Sequence, residues 1–260
     1  MFYCFAENSF NFSIFESTEG KTAVLVLVPG TNGNGALFLE NQPWIEFAQK
    51  HSLGIIALNY QSAPQDFYFG NRKNYYFPLE SGSGKALLDE IKNVYGKDLP
   101  ILIYGVSGGA EFVSQFADYA PERIIAWCAY SAYFYETPKT IPHEKTQARG
   151  IIACGELDHR MQCAYSYFYI GRQQNKNWIW VNLKKTGHVR SKALEEFACL
   201  FFSTELDIFK KPNKAPHKDI FADISTMNII SSEHSEMNKS LSCPFRNETI
   251  YKFWKKIHTP

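Results

Sequence analysis

Six short, almost wholly apolar runs, separated by segments of helical length, decide what this chain can fold into. Residues 22–28, 54–59, 101–104, 124–130, 151–154 and 178–183 are rich in Val, Ile and Leu. Such runs read as strands buried on both faces, the habit of a parallel sheet. Between them lie 36–51, 83–95, 108–119, 160–173 and 190–202; in the third, Phe112, Val113 and Phe116 recur at helical spacing, and Pro121 follows where the helix must stop. Strands alternating with helices imply right-handed βαβ crossovers and an α/β fold: a doubly wound, mostly parallel β-sheet flanked by helices. Residues 10–17 partly alternate apolar and polar, as an antiparallel strand with one wet face does.

A chain of 260 residues fits one large domain, or one with an appendage. The composition shifts after Phe202 toward Lys, Ser, Asn and His, so the expected division is an α/β core over 1–203 and an extension packed on it over 204–260. Within the extension the pattern predicts a hairpin around 224–230 and a last helix around 249–257. Phe221, Tyr251, Phe253 and Trp254 need burial there, which argues against a disordered tail.

The net charge is +1, so there is no polybasic field to hold a nucleic acid or an anionic membrane. The longest apolar run, Ile124 to Tyr130, falls far short of the ~20 residues of a membrane span. The first residues lack the basic and apolar regions of a signal peptide, which points to a cytoplasmic protein. Six cysteines lie far apart with no C-x-x-C pair, an argument against a zinc knuckle, a thioredoxin-type motif or a dense disulfide framework. Most of them read as small core hydrophobes.

The sharpest chemical signal is Gly105-Val106-Ser107-Gly108-Gly109, directly after the run 101–104 and directly before a helical pattern. A nucleophile elbow needs a strand, a turn tight enough to strain the serine's backbone, and a helix; the flanking glycines remove side chains that would clash. The helix start aims unpaired N–H groups at the reacting oxygen. A serine hydroxyl is a weak nucleophile and needs a base, itself oriented by a third group. The elbow architecture orders these Ser, acid, His along the chain. Asp158 follows the run 151–154 and His188 follows 178–183, each at the carboxyl end of a predicted strand, where open α/β sheets place their sites. Glu156 and His159 flank Asp158 and compete for these roles. A plainer reading of Asp158 is a helix cap.

An acyl-transfer transition state needs two donors for its oxyanion. The N–H of Gly108 is one candidate; the other comes from the glycine-rich loop 28–35, with Thr31 first and Asn32 second. Phosphate binding is the rival use of that loop, but it lacks the G-x-G-x-x-G spacing and a positioned acid. Ser81-Gly82-Ser83-Gly84-Lys85-Ala86 is no P-loop, since Leu79 stands where the first glycine belongs and Ala86 where Ser or Thr belongs. It reads as a helix start. The aromatic stretches 67–69, 75–77 and 133–135 follow predicted strands and should overhang the same sheet edge, either as walls of an acyl or aromatic-ester pocket or packed under surface loops.

Taken together, Pro29-Gly30-Thr31, the Gly105–Gly109 elbow, Asp158 and His188 resemble the α/β-hydrolase superfamily over about residues 10–203. The short connection between the runs 124–130 and 151–154 is similar to compact esterases related to dienelactone hydrolase and poly(3-hydroxyalkanoate) depolymerase. Those enzymes often carry His-Gly where this chain has Pro29-Gly30. The resemblance implies hydrolysis of a small-molecule ester by a serine carboxylesterase mechanism through a covalent acyl-enzyme, with no metal and no organic cofactor. Two other readings stay open: a catalytically silent fold used for binding, and an acyltransferase using the same triad.

Overall fold

The computed structural model describes residues 9–15, 21–62, 81–139, 148–211, 218–230 and 239–260. The chain divides after Ile124 into two compact units.

In the first unit the strands are β1 (Ser9–Phe15), β2 (Ala23–Val28), β3 (Leu53–Gln61) and β4 (Ile101–Val106), in the order β1-β3-β2-β4. β1 pairs antiparallel with β3, and β2 lies parallel to both β3 and β4. Every residue of β2 is buried, as its Ala-Val-Leu-Val-Leu-Val composition requires of a central parallel strand. The helices are α1 (Gln42–His51), α2 (Ser83–Tyr95) and α3 (Gly108–Tyr119). The single helix expected over 36–51 is broken. A short 3-10 turn, Gly35–Phe38, precedes α1, because Asn34 caps it locally and Pro43 restricts the residue before it and favours a fresh helix start.

The second unit holds β5 (Ile124–Tyr130), β6 (Arg149–Gly155) and β7 (Trp178–Leu183), parallel and in that order, with α4 (Met161–Gln173) and α5 (Lys192–Lys210). It continues through β8 (Ile220–Asp223), β9 (Ser242–Phe245) and α6 (Glu248–Ile257). The expected hairpin around 224–230 is smaller than a ladder. Asp223 Oδ1 accepts from the N–H groups of Ser225 and Thr226 to turn the chain, Ala222 and Ile229 form one bridge, and β8 takes β9 as its antiparallel partner. The helix α5 runs unbroken through position 203.

The C-terminal segment covers the outer edge of β7, which would otherwise present unpaired backbone groups. Trp180 N–H donates to Cys243 Sγ at 3.1 Å, and Trp180 C=O accepts from the Trp254 indole at 2.7 Å. Asn182 N–H donates to His258 Nδ1 at 3.0 Å, and Asn182 C=O accepts from Thr259 N–H at 2.8 Å. Buried charges tie the same segment down. Arg149, at the start of β6, donates to both oxygens of Asp219 (3.0 and 2.8 Å) and to Pro244 C=O, while Arg246 donates to both oxygens of Glu205 on α5 (3.0 and 3.2 Å).

His258 has one tautomer in this setting: Nδ1 accepts from Asn182, so Nε2–H donates to Ile224 C=O. Burial outweighs the Ile224 hydrogen bond and lowers its pKa from 6.5 to about 4. The unfolded chain therefore takes up a proton between pH 6.5 and 4 that the folded chain refuses, so stability present above pH 6.5 is lost as pH falls through that window, by about 3 kcal/mol at full extent. Urea unfolding of wild type and His258→Asn, compared from pH 7.5 to 4, should show a flatter pH dependence in the variant. Equal slopes would remove His258 as the cause.

Of the five described cysteines, Cys128, Cys154 and Cys243 are buried, Cys199 is half-buried and Cys163 is exposed; all are free thiols. Among the described residues no helix is long and apolar enough to cross a membrane.

Candidate active site

β4 ends at Val106 and α3 begins at Gly108, leaving one residue to reverse the chain. That residue, Ser107, holds φ 54° and ψ −123°, a region that residues with a side chain avoid because of clashes around Cβ. The two elbow glycines serve close approach. A methyl group on Gly105 would stand 2.3 Å from the Gly109 carbonyl oxygen, and one on Gly109 would stand 2.3 Å from that of Pro29. Ser107 C=O accepts from the N–H groups of Ala110 and Glu111, and Gly108, as the first residue of α3, offers an N–H with no acceptor within the helix.

The loop after β2 comes up against this elbow. A Cβ on Gly30 would lie 3.4 Å from Ser107 Cβ and 3.9 Å from its Oγ, so the backbone passes beside the hydroxyl. Gly33 N–H closes a turn on Gly30 C=O at 2.8 Å, with Thr31 and Asn32 at its tip. Asn32 has φ 54°, which asparagine tolerates better than most residues, and its side-chain amide bonds both the C=O (2.8 Å) and the N–H (2.9 Å) of Ser62. Its side chain therefore anchors the turn.

In the second unit, Asp158 follows β6 and His188 follows β7, and the two connections are laced together. Glu156 N–H donates to Leu183 C=O at 3.0 Å, Leu157 N–H to Thr186 C=O at 2.8 Å, and Lys185 N–H to Glu156 Oε2 at 2.7 Å. Gly155 lets them meet, because a Cβ there would stand 2.3 Å from Thr186 C=O. The Tyr130 hydroxyl, from the end of β5, donates to Val189 C=O at 2.7 Å and pins the His188 loop from another strand.

With the loops held, Asp158 Oδ2 lies 2.8 Å from His188 Nδ1. Its other oxygen, Oδ1, accepts from the Arg160 backbone N–H and from Arg160 Nη1, each at 3.1 Å. Asp158 is 4% exposed. Burial alone pushes its carboxyl up, but hydrogen bonds from His188, Arg160 and Ser131 outweigh that, and the pKa falls from 3.8 to about 2. At neutral pH the carboxylate is an acceptor only, so His188 Nδ1 must donate and Nε2 carries the lone pair. The helix-cap reading and the chemical reading thus fall on different oxygens of one carboxylate.

The competitors are placed differently. Glu156 is engaged by Lys185 N–H, His159 Nδ1 stands 3.7 Å from Asp158 Oδ1 on a side chain 69% exposed, and His258 is buried against β7. Ser107, Gly108 and Thr31 stand in the first unit, Asp158 and His188 in the second. Residues 67–69 and 75–77 lie outside the described residues. Tyr133, Phe134 and Tyr135, just past β5, line with Pro138, Tyr167 and Ile170 a groove of about 440 Å³. Tyr135 stacks on Tyr167 at 4.4 Å between centroids, and Tyr167 on Trp178 at 4.8 Å, which makes one wall rigid. Tyr133 meets the His159 ring at 6.3 Å between centroids. Among the described residues no group of three or more His, Cys, Asp or Glu is arranged to hold a metal ion.

Sequence reasoning missed Arg160. The signal was an arginine at the very start of a helix, where the macrodipole disfavours a cation.

No family model and no curated protein matches the sequence. The structure is similar to that of esterase PE8, with a TM-score of 0.59 at 14% identity over 75% of this chain and 98% of that one. It is also similar to the poly(3-hydroxybutyrate) depolymerase LpqC from Bordetella parapertussis, with a TM-score of 0.55 at 17% identity over 75% and 83%. An esterase from Pyrobaculum calidifontis matches with a TM-score of 0.54 at 10% identity over 77% and 81%. The chain has the α/β-hydrolase fold. At these identities the likeness is one of architecture: a mostly parallel sheet flanked by helices, with β1 as its antiparallel strand.

Proposed function

We propose that this α/β-hydrolase-fold chain is a serine hydrolase of carboxylesterase type. The observation that carries the reading is the backbone of Ser107, held at φ 54° between a strand and a helix, a strain with no structural benefit of its own. The 2.8 Å Asp158–His188 contact supports it from the second unit, and the similarity to esterases supports it from outside.

In this reading Ser107 Oγ attacks the ester carbonyl carbon while its proton passes to His188 Nε2. The carbonyl electron pair moves to oxygen, where the N–H groups of Gly108 and Thr31 receive it. Collapse expels the alcohol oxygen, which takes the proton from His188 and leaves an acyl-Ser107 ester. Water then repeats the sequence, releasing the acid and restoring the serine. Asp158 stays ionised and stabilises the imidazolium formed in each half. Labelling by a fluorophosphonate probe in wild type, and its loss in Ser107→Ala, tests the assignment; labelling retained in the variant moves the nucleophile elsewhere.

The groove beginning at Tyr133 takes the bulky apolar part of the ester. Tyr133 and Phe134 are 57% and 42% exposed, unusual for rings with no other role. Tyr133→Ala and Phe134→Ala should each lower kcat/KM for esters with a long or ring-bearing acyl group by roughly 10-fold and leave acetyl esters within about 2-fold. A graded ester panel measures this. An equal loss on all esters refutes the groove as the pocket.

A further inference from the structure

Resting on the Ser107, Asp158 and His188 reading, we propose that Arg160 is a positioning residue: it holds Asp158 Oδ1 so that Oδ2 faces His188. Arg160 and His188 take different oxygens of the carboxylate, with Ser131 a further donor. Oδ1 receives both hydrogen bonds from Arg160, at 3.1 Å each, and Oδ2 receives His188 at 2.8 Å. Rotation of the carboxyl about its Cβ–Cγ bond would break both Arg160 bonds at once, so Arg160 restrains the acceptor that the imidazole needs.

Arg160 stands just before α4, where the helix dipole repels a cation, and among the described residues Asp158 is the acid it meets. The other titratable groups around the pair do not supply a competing fixed charge. From β5, the Tyr130 phenol is pushed up to about 12 by burial and is uncharged at neutral pH; from β6, the Cys154 thiol is likewise pushed up to about 12 by burial. Ser131 is neutral, Glu156 is bonded to Lys185 N–H, and beyond His188 the Arg190 guanidinium is clamped on Glu195 at 2.6 and 2.9 Å. His159, 3.7 Å from Oδ1, serves as the control.

The test is kcat and KM on one soluble ester for wild type, Arg160→Gln, Arg160→Lys, Arg160→Ala and His159→Gln. Arg160→Gln and Arg160→Ala remove the guanidinium bond and keep the backbone one, and each should lower kcat by roughly 10-fold with KM unchanged, the mark of a group that acts only in the transition state. Arg160→Lys keeps a cationic donor and should recover most of that loss, and His159→Gln should stay at wild type. Arg160→Met, which keeps the apolar stem, replaces Arg160→Gln should that variant fail to fold. If turnover depends on Ser107 and kcat of Arg160→Gln and Arg160→Ala coincides with wild type, the role given to Arg160 is wrong. If turnover does not depend on Ser107, the triad reading itself fails.

Discussion

Ser107→Ala is expected to lower ester turnover by roughly 10⁴–10⁶-fold while leaving the unfolding midpoint at or slightly above that of wild type. The size follows from the interdependence of nucleophile, base and orienting acid, since losing any one forfeits most of what they do together. His188→Ala should match it. Asp158→Asn should cost on the order of 10⁴-fold, because an amide in place of Oδ2 can donate to Nδ1 and stabilise the wrong tautomer. The stability half of the prediction is specific to this backbone. Ser107 is strained at φ 54°, and Ser107→Gly would relieve that strain, so a glycine variant should be inactive yet more stable. Steady-state rates on one ester and thermal unfolding of the four variants check both halves. An active Ser107→Ala, or a His159→Ala as damaging as His188→Ala, would displace the assignment.

The second large effect concerns the C-terminal segment. Truncation after Lys211, which leaves α5 intact, should give a chain that aggregates. The cut removes the Cys243, Trp254, His258 and Thr259 groups that satisfy the outer edge of β7, and it uncovers Trp180 and Leu183 beside them. An exposed, apolar, unpaired strand edge is a template for other chains. The cut also takes Asp219 and Arg246, leaving Arg149 and Glu205, 3% and 5% exposed, without those partners. Arg149 and Glu205 keep each other at 3.4 Å, so the loss falls below the ~3–5 kcal/mol of a fully unpaired buried charge. Asp219→Ala is the milder version and should lower stability by about 2 kcal/mol, the loss of hydrogen bonds to a charged group, without touching ester preference. A truncated chain that is monomeric, cooperatively folded and changed only in substrate range would show that the segment is a separate element acting on the site.

Patterning made the strands legible because a strand inside a parallel sheet must be apolar on both faces: 124–130 and 178–183 coincide with β5 and β7. The tight turn at Ser107 was legible because its geometry leaves few residue choices; glycine alone fits against Pro29 C=O at position 109. That Asp158 follows β6 and His188 follows β7 was legible from the apolar runs before them, while their role is the proposal. Local chemistry explains what the patterning missed. Pro43 and the Asn34 cap split the helix expected over 36–51, and Asp223 turned the expected hairpin into a single bridge.

What only the tertiary structure decided is how residues distant in sequence divide the polar work. Nothing in the string around Arg160 says that it occupies the oxygen of Asp158 that His188 leaves free, because a hydrogen bond at 3.1 Å depends on where a helix start falls relative to a strand end. Nothing in a tail rich in Lys, Ser and Asn says that it carries the counter-charges of Arg149 and the edge partners of β7. Apolar periodicity is written locally, because burial acts on every side chain of an element alike. Polar pairing is directional and short-ranged, so which donor meets which acceptor is fixed only once the strands are in register and the loops are closed.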